Sequence, residues 1–260
     1  MLREKRVRAR TRTALKSIAL FGVVLTAFLC AAGATSADVY LPEPTEVPFD
    51  TSFTPSRLPA GKAAPVSLAF RQTIRRPDGS HPPALQELQL DLDRHFGLSV
   101  KGVPRCGPPI QESPVREGVL SRCEDAKVGS GTIEVEVAFP EQQPVRISGR
   151  VSIYNMGRWD GSTRFLLYAL IPAPVTGAIT PELGVHRESR GTYGWKGVLT
   201  VPKIADGAGS VTYLGVRFRK GIFSASCPEG QLLAHASSRF VDGDVASGTL
   251  IHTCKTAAAG

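Results

Sequence analysis

The segment DLDRH, residues 91–95, is the chain's best grouping of carboxylates with a histidine. A strand alternates faces every residue, so Asp91, Asp93 and His95 would share one face and Leu90 and Leu92 the other. Three such side chains in a row could ligate Ca²⁺ or Zn²⁺, or move protons in acid–base chemistry. Any amphipathic strand has the same pattern, so the solvated face of a strand is the preferred expectation. His235 and His252 form a second pair, diagonal neighbours if the turn between their strands has two residues. Zinc takes three or four ligands, and no third accompanies them. Asp242 and Asp244 could add calcium ligands, but Asp242-Gly243 already reads as a hairpin turn. No metal or cofactor is expected.

Nucleophilic chemistry has less support. G-x-S-x-G does not occur; VGSGT at 128–132 only resembles it and lacks the strand–elbow–helix setting. Cys-x-x-Cys is missing, and Gly207-Ala208-Gly209 has no helical pattern after it to make a dinucleotide loop. No catalytic residue is assigned. For sugar binding, Tyr193 and Trp195 should share a core-facing side with Leu199 and Val201, leaving Trp159, in a turn, as the accessible ring.

Four cysteines remain beyond the N-terminal Cys30: Cys106, Cys123, Cys227 and Cys254. An even number suits disulfides, with three connectivities open. The sequence-local pairs Cys106–Cys123 and Cys227–Cys254 are preferred, each removing ~3 kcal/mol of unfolded-state freedom. Between the second pair, a two-residue loop at Asp242-Gly243 would place Leu232, Ala234, Ala236, Phe240, Val245 and Ile251 on the core side. The cysteines would then clip the hairpin's open end.

The elements that must position these groups are strands. Ile133, Val135, Val137 and Phe139 alternate with Thr132, Glu134, Glu136 and Ala138, and VSLAFRQTI, ELQLDLD and VRISGRVSI repeat the pattern. Further strands are expected at 163–171, 191–201, 210–218, 232–240 and 245–253, separated by Asp-Gly turns. One helical excursion is expected at 115–126. The fold class is all-β, an antiparallel sandwich of the immunoglobulin-like or jelly-roll-like kind spanning 65–255, with a flexible tail at 256–260. The five prolines of 38–64 suggest an extended tether.

The N-terminus bears on destination. Seven basic residues precede the uncharged run SIALFGVVLTAFLCAAGA, and small residues end it at Ala32-Gly33-Ala34 or Thr35-Ser36-Ala37. These are the parts of a signal peptide over 1–37. The alternative is an uncleaved anchor, for which the run is barely long enough. The chain carries 31 basic and 23 acidic residues, of which seven and one precede residue 38. What remains is nearly neutral, which argues against nucleic acid as a partner. Arg217 and Arg219 of VRFRK are expected on a solvated edge. Partners would be a cell-wall polymer or an extracellular protein, with a membrane involved only if the leader stays.

VPRC at 103–106, CEDAKVGSGT at 123–132, GSVTYLGVRF at 209–218 and CPEGQLLAHASSRFVDG at 227–243 followed by Cys254 cover most of residues 98–255. In these features the chain resembles a loosely defined set of secreted bacterial β-domain proteins of unknown function. The resemblance implies export and a disulfide-clipped β domain, and carries no activity. The functional expectation is a non-catalytic module of the cell envelope or exterior, the alternative a secreted hydrolase whose residues converge only in the fold.

Overall fold

A computed structural model describes residues 44–107, 123–172 and 177–257. It holds fifteen strands: β1 (Phe49–Thr54), β2 (Arg57–Pro59), β3 (Ala64–Thr73), β4 (Leu85–Asp93), β5 (Phe96–Leu98), β6 (Lys127–Val137), β7 (Val145–Trp159), β8 (Ser162–Ile171), β9 (Gly177–Ile179), β10 (Glu182–Arg187), β11 (Tyr193–Thr200), β12 (Gly209–Ala225), β13 (Gln231–Phe240), β14 (Val245–Thr253) and β15 (Lys255–Ala257). Thirteen form one sheet in the order β1-β3-β12-β6-β7-β8-β10-β11-β4-β13-β14, with β5 added to β12 and β9 to β8. All its ladders are antiparallel. β2 and β15 pair separately and in parallel. The all-β antiparallel class expected from the sequence is therefore what the chain adopts.

The sheet folds over on itself. Phe165 of β8 and Phe218 of β12 stand three ladder steps apart, yet their ring centroids lie 5.2 Å apart across the interior. The outermost strands, β1 and β14, meet through side chains. The Phe49 ring lies 3.0 Å from where a Cβ on Gly248 would sit. The His252 ring stands 5.9 Å from that of Phe53 and its Nε2 hydrogen-bonds Thr51 Oγ1. The result is a nearly closed barrel around one apolar core.

This closure corrects the expected tether. From Phe49 onward, Phe49, Thr51 and Phe53 face inward and β1 pairs with β3, so the prolines flank a strand. The chain's other end is likewise ordered further than the expected tail, since Lys255–Ala257 pair with Arg57–Pro59. Of the helix expected at 115–126, residues 115–122 lie outside the described residues, and Glu124–Ala126 form a short 3-10 turn. The expected N-terminal leader is also outside them. Among the described residues no helix is long and apolar enough to cross a membrane.

Both preferred disulfides are present, Cys106–Cys123 and Cys227–Cys254, with Cα separations of 5.0 and 6.5 Å. The first lies in a small second core on the outer side of β7 and β8, with Ala126, Tyr154, Leu166 and Tyr168. Covering both faces there explains why FLLYA at 165–169 shows no polar alternation. The second joins the open end of the β13–β14 hairpin. The register of that hairpin differs from the two-residue turn: Arg239 opposes Val245, and Phe240 N–H donates to Asp244 O. The loop is Val241–Gly243, with Gly243 at φ +92° in the region glycine favours. One extra residue reverses the parity of β14, so Val245 and Ile251 are 62% and 63% exposed instead of buried. Leu232, Ala234, Ala236 and Phe240 are buried as expected.

Candidate functional site

DLDRH ends β4. Leu90 and Leu92 face the interior, and the carboxylates take the other face but are not solvated, each being only 7% exposed. Asp93 is saturated: Oδ1 accepts from the His95 backbone at 2.9 Å and its ring Nδ1 at 2.7 Å, and Oδ2 accepts from Leu233 N at 3.2 Å. It fixes a strand end. Asp91 Oδ2 accepts from Gln89 Nε2 at 2.7 Å, while its Oδ1 is buried without a partner. Register aligns Lys196, Asp91, His235 and Thr249 across four strands. His235 bonds Thr249 at 2.9 Å, whereas His252 faces the opposite side, so the two histidines do not form a pair. Among the described residues no three of His, Cys, Asp and Glu are grouped to hold a metal ion.

A second polar row was not legible as a site. Arg146, Glu136 and Ser210 oppose one another on β7, β6 and β12, and His81 reaches over them from the loop before β4. His81 Nδ1 lies 2.9 Å from Glu136 Oε1, and His81 Nε2 lies 3.1 Å from Ser210 Oγ. Arg146 Nε donates to Glu136 Oε2 at 2.7 Å. The connectivity is that of a serine–histidine–carboxylate relay. Yet Ser210 is 1% exposed, and its hydroxyl donates to Pro82 O at 2.6 Å. Burial by itself would raise the Glu136 carboxyl; the Arg146 and His81 hydrogen bonds outweigh it and hold the group below its ordinary value. The row fastens a proline-rich loop to the barrel wall.

The aromatic pair splits. A bulge at Gly194 puts Tyr193 opposite Asp93, on the outer face with its ring 6.1 Å from that of His235. Trp195 turns inward and donates Nε1–H to Phe96 O at 2.6 Å. Gly194 is required, since a Cβ there would meet Arg94 Cα at 2.6 Å. The expectation that both rings share a core face therefore fails at Tyr193. Trp159 is exposed as expected, at 69%, with the Arg164 guanidinium 5.9 Å from its centroid.

Trp195 also borders a cleft of about 680 Å³ at the barrel end where β7, β10 and β4 finish. Residues 97–105, the β7–β8 turn and the ends of β10 and β11 form its walls. Lys101, Arg105, Arg158 and Arg187 line it, and no carboxylate among the described residues does. None of the four makes an ion pair among the described residues. The wall is built rigidly. Buried Asn155 donates to Val103 O and Pro104 O and accepts from Gly157 N, and Cys106 N–H donates to Asn155 O. Gly157, at φ +94°, leaves room for Arg105, whose Nε lies 2.7 Å from where a Cβ would be. Arg187 stands over the Trp195 ring, 5.9 Å from its centroid. Behind Trp195 and Val185, which border both spaces, lies an apolar interior cavity of about 60 Å³.

No protein-family model matches the chain, and no curated protein matches its sequence. The four cations come from separated segments, so no sequence motif marks them. The available signal was weaker: Lys101 and Arg105 flank Gly102 and Pro104, and Arg158 follows Gly157, which places cations at the turns of one barrel end.

Proposed function

We propose that the protein is an exported, non-catalytic module of the cell envelope or exterior that binds an anionic group in the cleft lined by Lys101, Arg105, Arg158 and Arg187. The observation that carries this reading is four cations converging on one cleft, with no carboxylate in its lining among the described residues. A cleft lined by one sign of charge concentrates counter-ions, and guanidinium groups suit phosphate or carboxylate. A nearly neutral body makes the local imbalance more telling. The leader-like N-terminus and two disulfides support export, because disulfides persist in oxidising compartments. A wall polymer or extracellular protein would be bound through its own phosphate or carboxylate groups.

Calorimetric titration with butyl phosphate tests the site. Binding should weaken as salt rises, and Lys101→Gln/Arg187→Gln should reduce affinity at least about tenfold, the loss of one to two charge-assisted contacts. Equal affinity in the variant and the native protein would remove the reading.

A second reading, a hydrolase, rests on Ser210, His81 and Glu136. It requires Ser210 to be released from Pro82 and uncovered. Labelling of Ser210 by a fluorophosphonate, with loss in His81→Ala, would favour it; an unlabelled native protein leaves the row as a fastening.

A further inference from the structure

The cleft and the barrel interior share a wall, and the two spaces have opposite chemistry. Trp195 and Val185 border both. On one side stand the four cations; on the other the lining is apolar, drawn from β3, β4, β8, β10, β11 and β12. Four side chains that point into this interior, Leu90, Leu183, Trp195 and Val216, remain only half-buried. In a filled core such positions are closed to water, as Leu88, Leu92, Phe165 and Leu214 are here. The barrel is thus incompletely filled next to its cationic mouth.

We infer that the ligand is a single-chain amphiphile with an anionic head, a phosphate or carboxylate held by Lys101, Arg105, Arg158 and Arg187, whose hydrocarbon chain passes Trp195 into the apolar interior. The inference rests on the anion-binding reading above and adds the class of molecule. A water-soluble anion would use the mouth and leave the apolar side unused. A neutral lipid would use the interior and leave four cations without a counter-charge. An anionic amphiphile satisfies both, and each methylene moved from water to the interior raises affinity about fourfold. A chain entering past the ring would also stack its first carbons against Trp195, which its bond to Phe96 O holds in place.

The chain has two tryptophans, Trp159 and Trp195. In a Trp159→Phe variant the emission of Trp195 reports on the gate alone. Alkyl phosphates of four, eight and twelve carbons, kept below their micelle concentrations, are titrated against it, with dodecanol and inorganic phosphate as controls. Affinity should climb steeply with chain length and then level off, with a blue shift of Trp195 emission for the longer chains. Dodecanol should bind at least about tenfold more weakly than dodecyl phosphate, since it lacks the charge-assisted contacts. Leu183→Phe, which narrows the interior, should flatten the chain-length dependence while butyl phosphate binding is retained, the latter showing that the variant is folded. If butyl and dodecyl phosphate bind equally and Trp195 emission is unmoved, the amphiphile is excluded and anion binding stands. If dodecanol equals dodecyl phosphate, or no phosphate binds at all, the anion reading falls and this inference with it.

Discussion

The two ends of the barrel treat charge differently. At the end where β6 finishes and β12 begins, charges are matched: Glu136 takes Arg146 and His81, Glu87 takes Arg239, and Arg76 takes Asp242. At the end where β7 and β10 finish, Asp93 takes His95 and Glu188 takes Lys196, but the four cations lining the cleft have no matching acid in its lining among the described residues. Matched charge holds loops to a wall and has no use for a ligand. Unmatched charge gathered on a wall held by Asn155 and Gly157 is what supports the anion-binding proposal. The Ser210 row has the connectivity of a catalyst, yet its saturation marks it as structure.

That contrast can be broken first at the covalent clip, which sits at the unmatched end. Cys227→Ser/Cys254→Ser should lower the unfolding free energy by about 3.5 kcal/mol, read by denaturant unfolding, because a loop spanning 27 residues is set free in the unfolded chain. A loss below about 1 kcal/mol would show that the hairpin end is held by packing and by β2–β15 instead.

At the matched end, Glu136→Gln should cost about 2 kcal/mol, since the Arg146 guanidinium and the His81 ring lose a buried carboxylate partner and can partly recover water. The effect has a pH signature. The folded Glu136 carboxyl titrates below its ordinary value of 4.5, so its stabilisation is complete above that value and is lost as pH falls through the lower folded value. Unfolding curves from pH 6 to pH 2.5 should be flatter in the variant; parallel curves would show that the pairing contributes nothing.

A smaller effect is expected at the β1–β14 seam. Burial holds His252 below its ordinary 6.5, opposed by the charge of Asp50. Between the folded and ordinary values the unfolded chain binds more protons, so stability declines as pH drops below 6.5. His252→Gln should lessen that decline, read as a flatter dependence of stability on pH between 6.5 and 5 than in the native protein. The smallest change sharpens the comparison most. Lys101→Gln/Arg187→Gln should alter stability by no more than about 0.5 kcal/mol, because exposed unpaired charges hold nothing together. A large loss there would make the cleft structural after all.

The strands were legible because their periodicity is strong: Ile133 to Val137 and Leu88 to Leu92 read correctly from alternation alone. Four failures have separate physical causes. β14 was reversed by one residue of loop length, a quantity that Asp-Gly does not determine. β1 was hidden by prolines on either side of a six-residue alternation, and β10 by its shortness and by Gly184. Glu136 sits where alternation puts a solvated residue, but a loop fifty residues earlier in the chain covers it. The cleft was illegible for the same reason on a larger scale. Lys101, Arg105, Arg158 and Arg187 become neighbours only when three strand ends and a loop converge. The disulfides, by contrast, join partners close in sequence and were readable from their spacing.

The seam between β1 and β14 gives the barrel a property that a fully laddered cylinder lacks. Its margins are fastened by ring contacts and one side-chain hydrogen bond, with no strand ladder between them among the described residues. Such a wall can spread like a split collar, enlarging its bore while every backbone rung elsewhere stays intact. For the amphiphile inferred above, capacity would then be an elastic quantity, set by how far the collar opens.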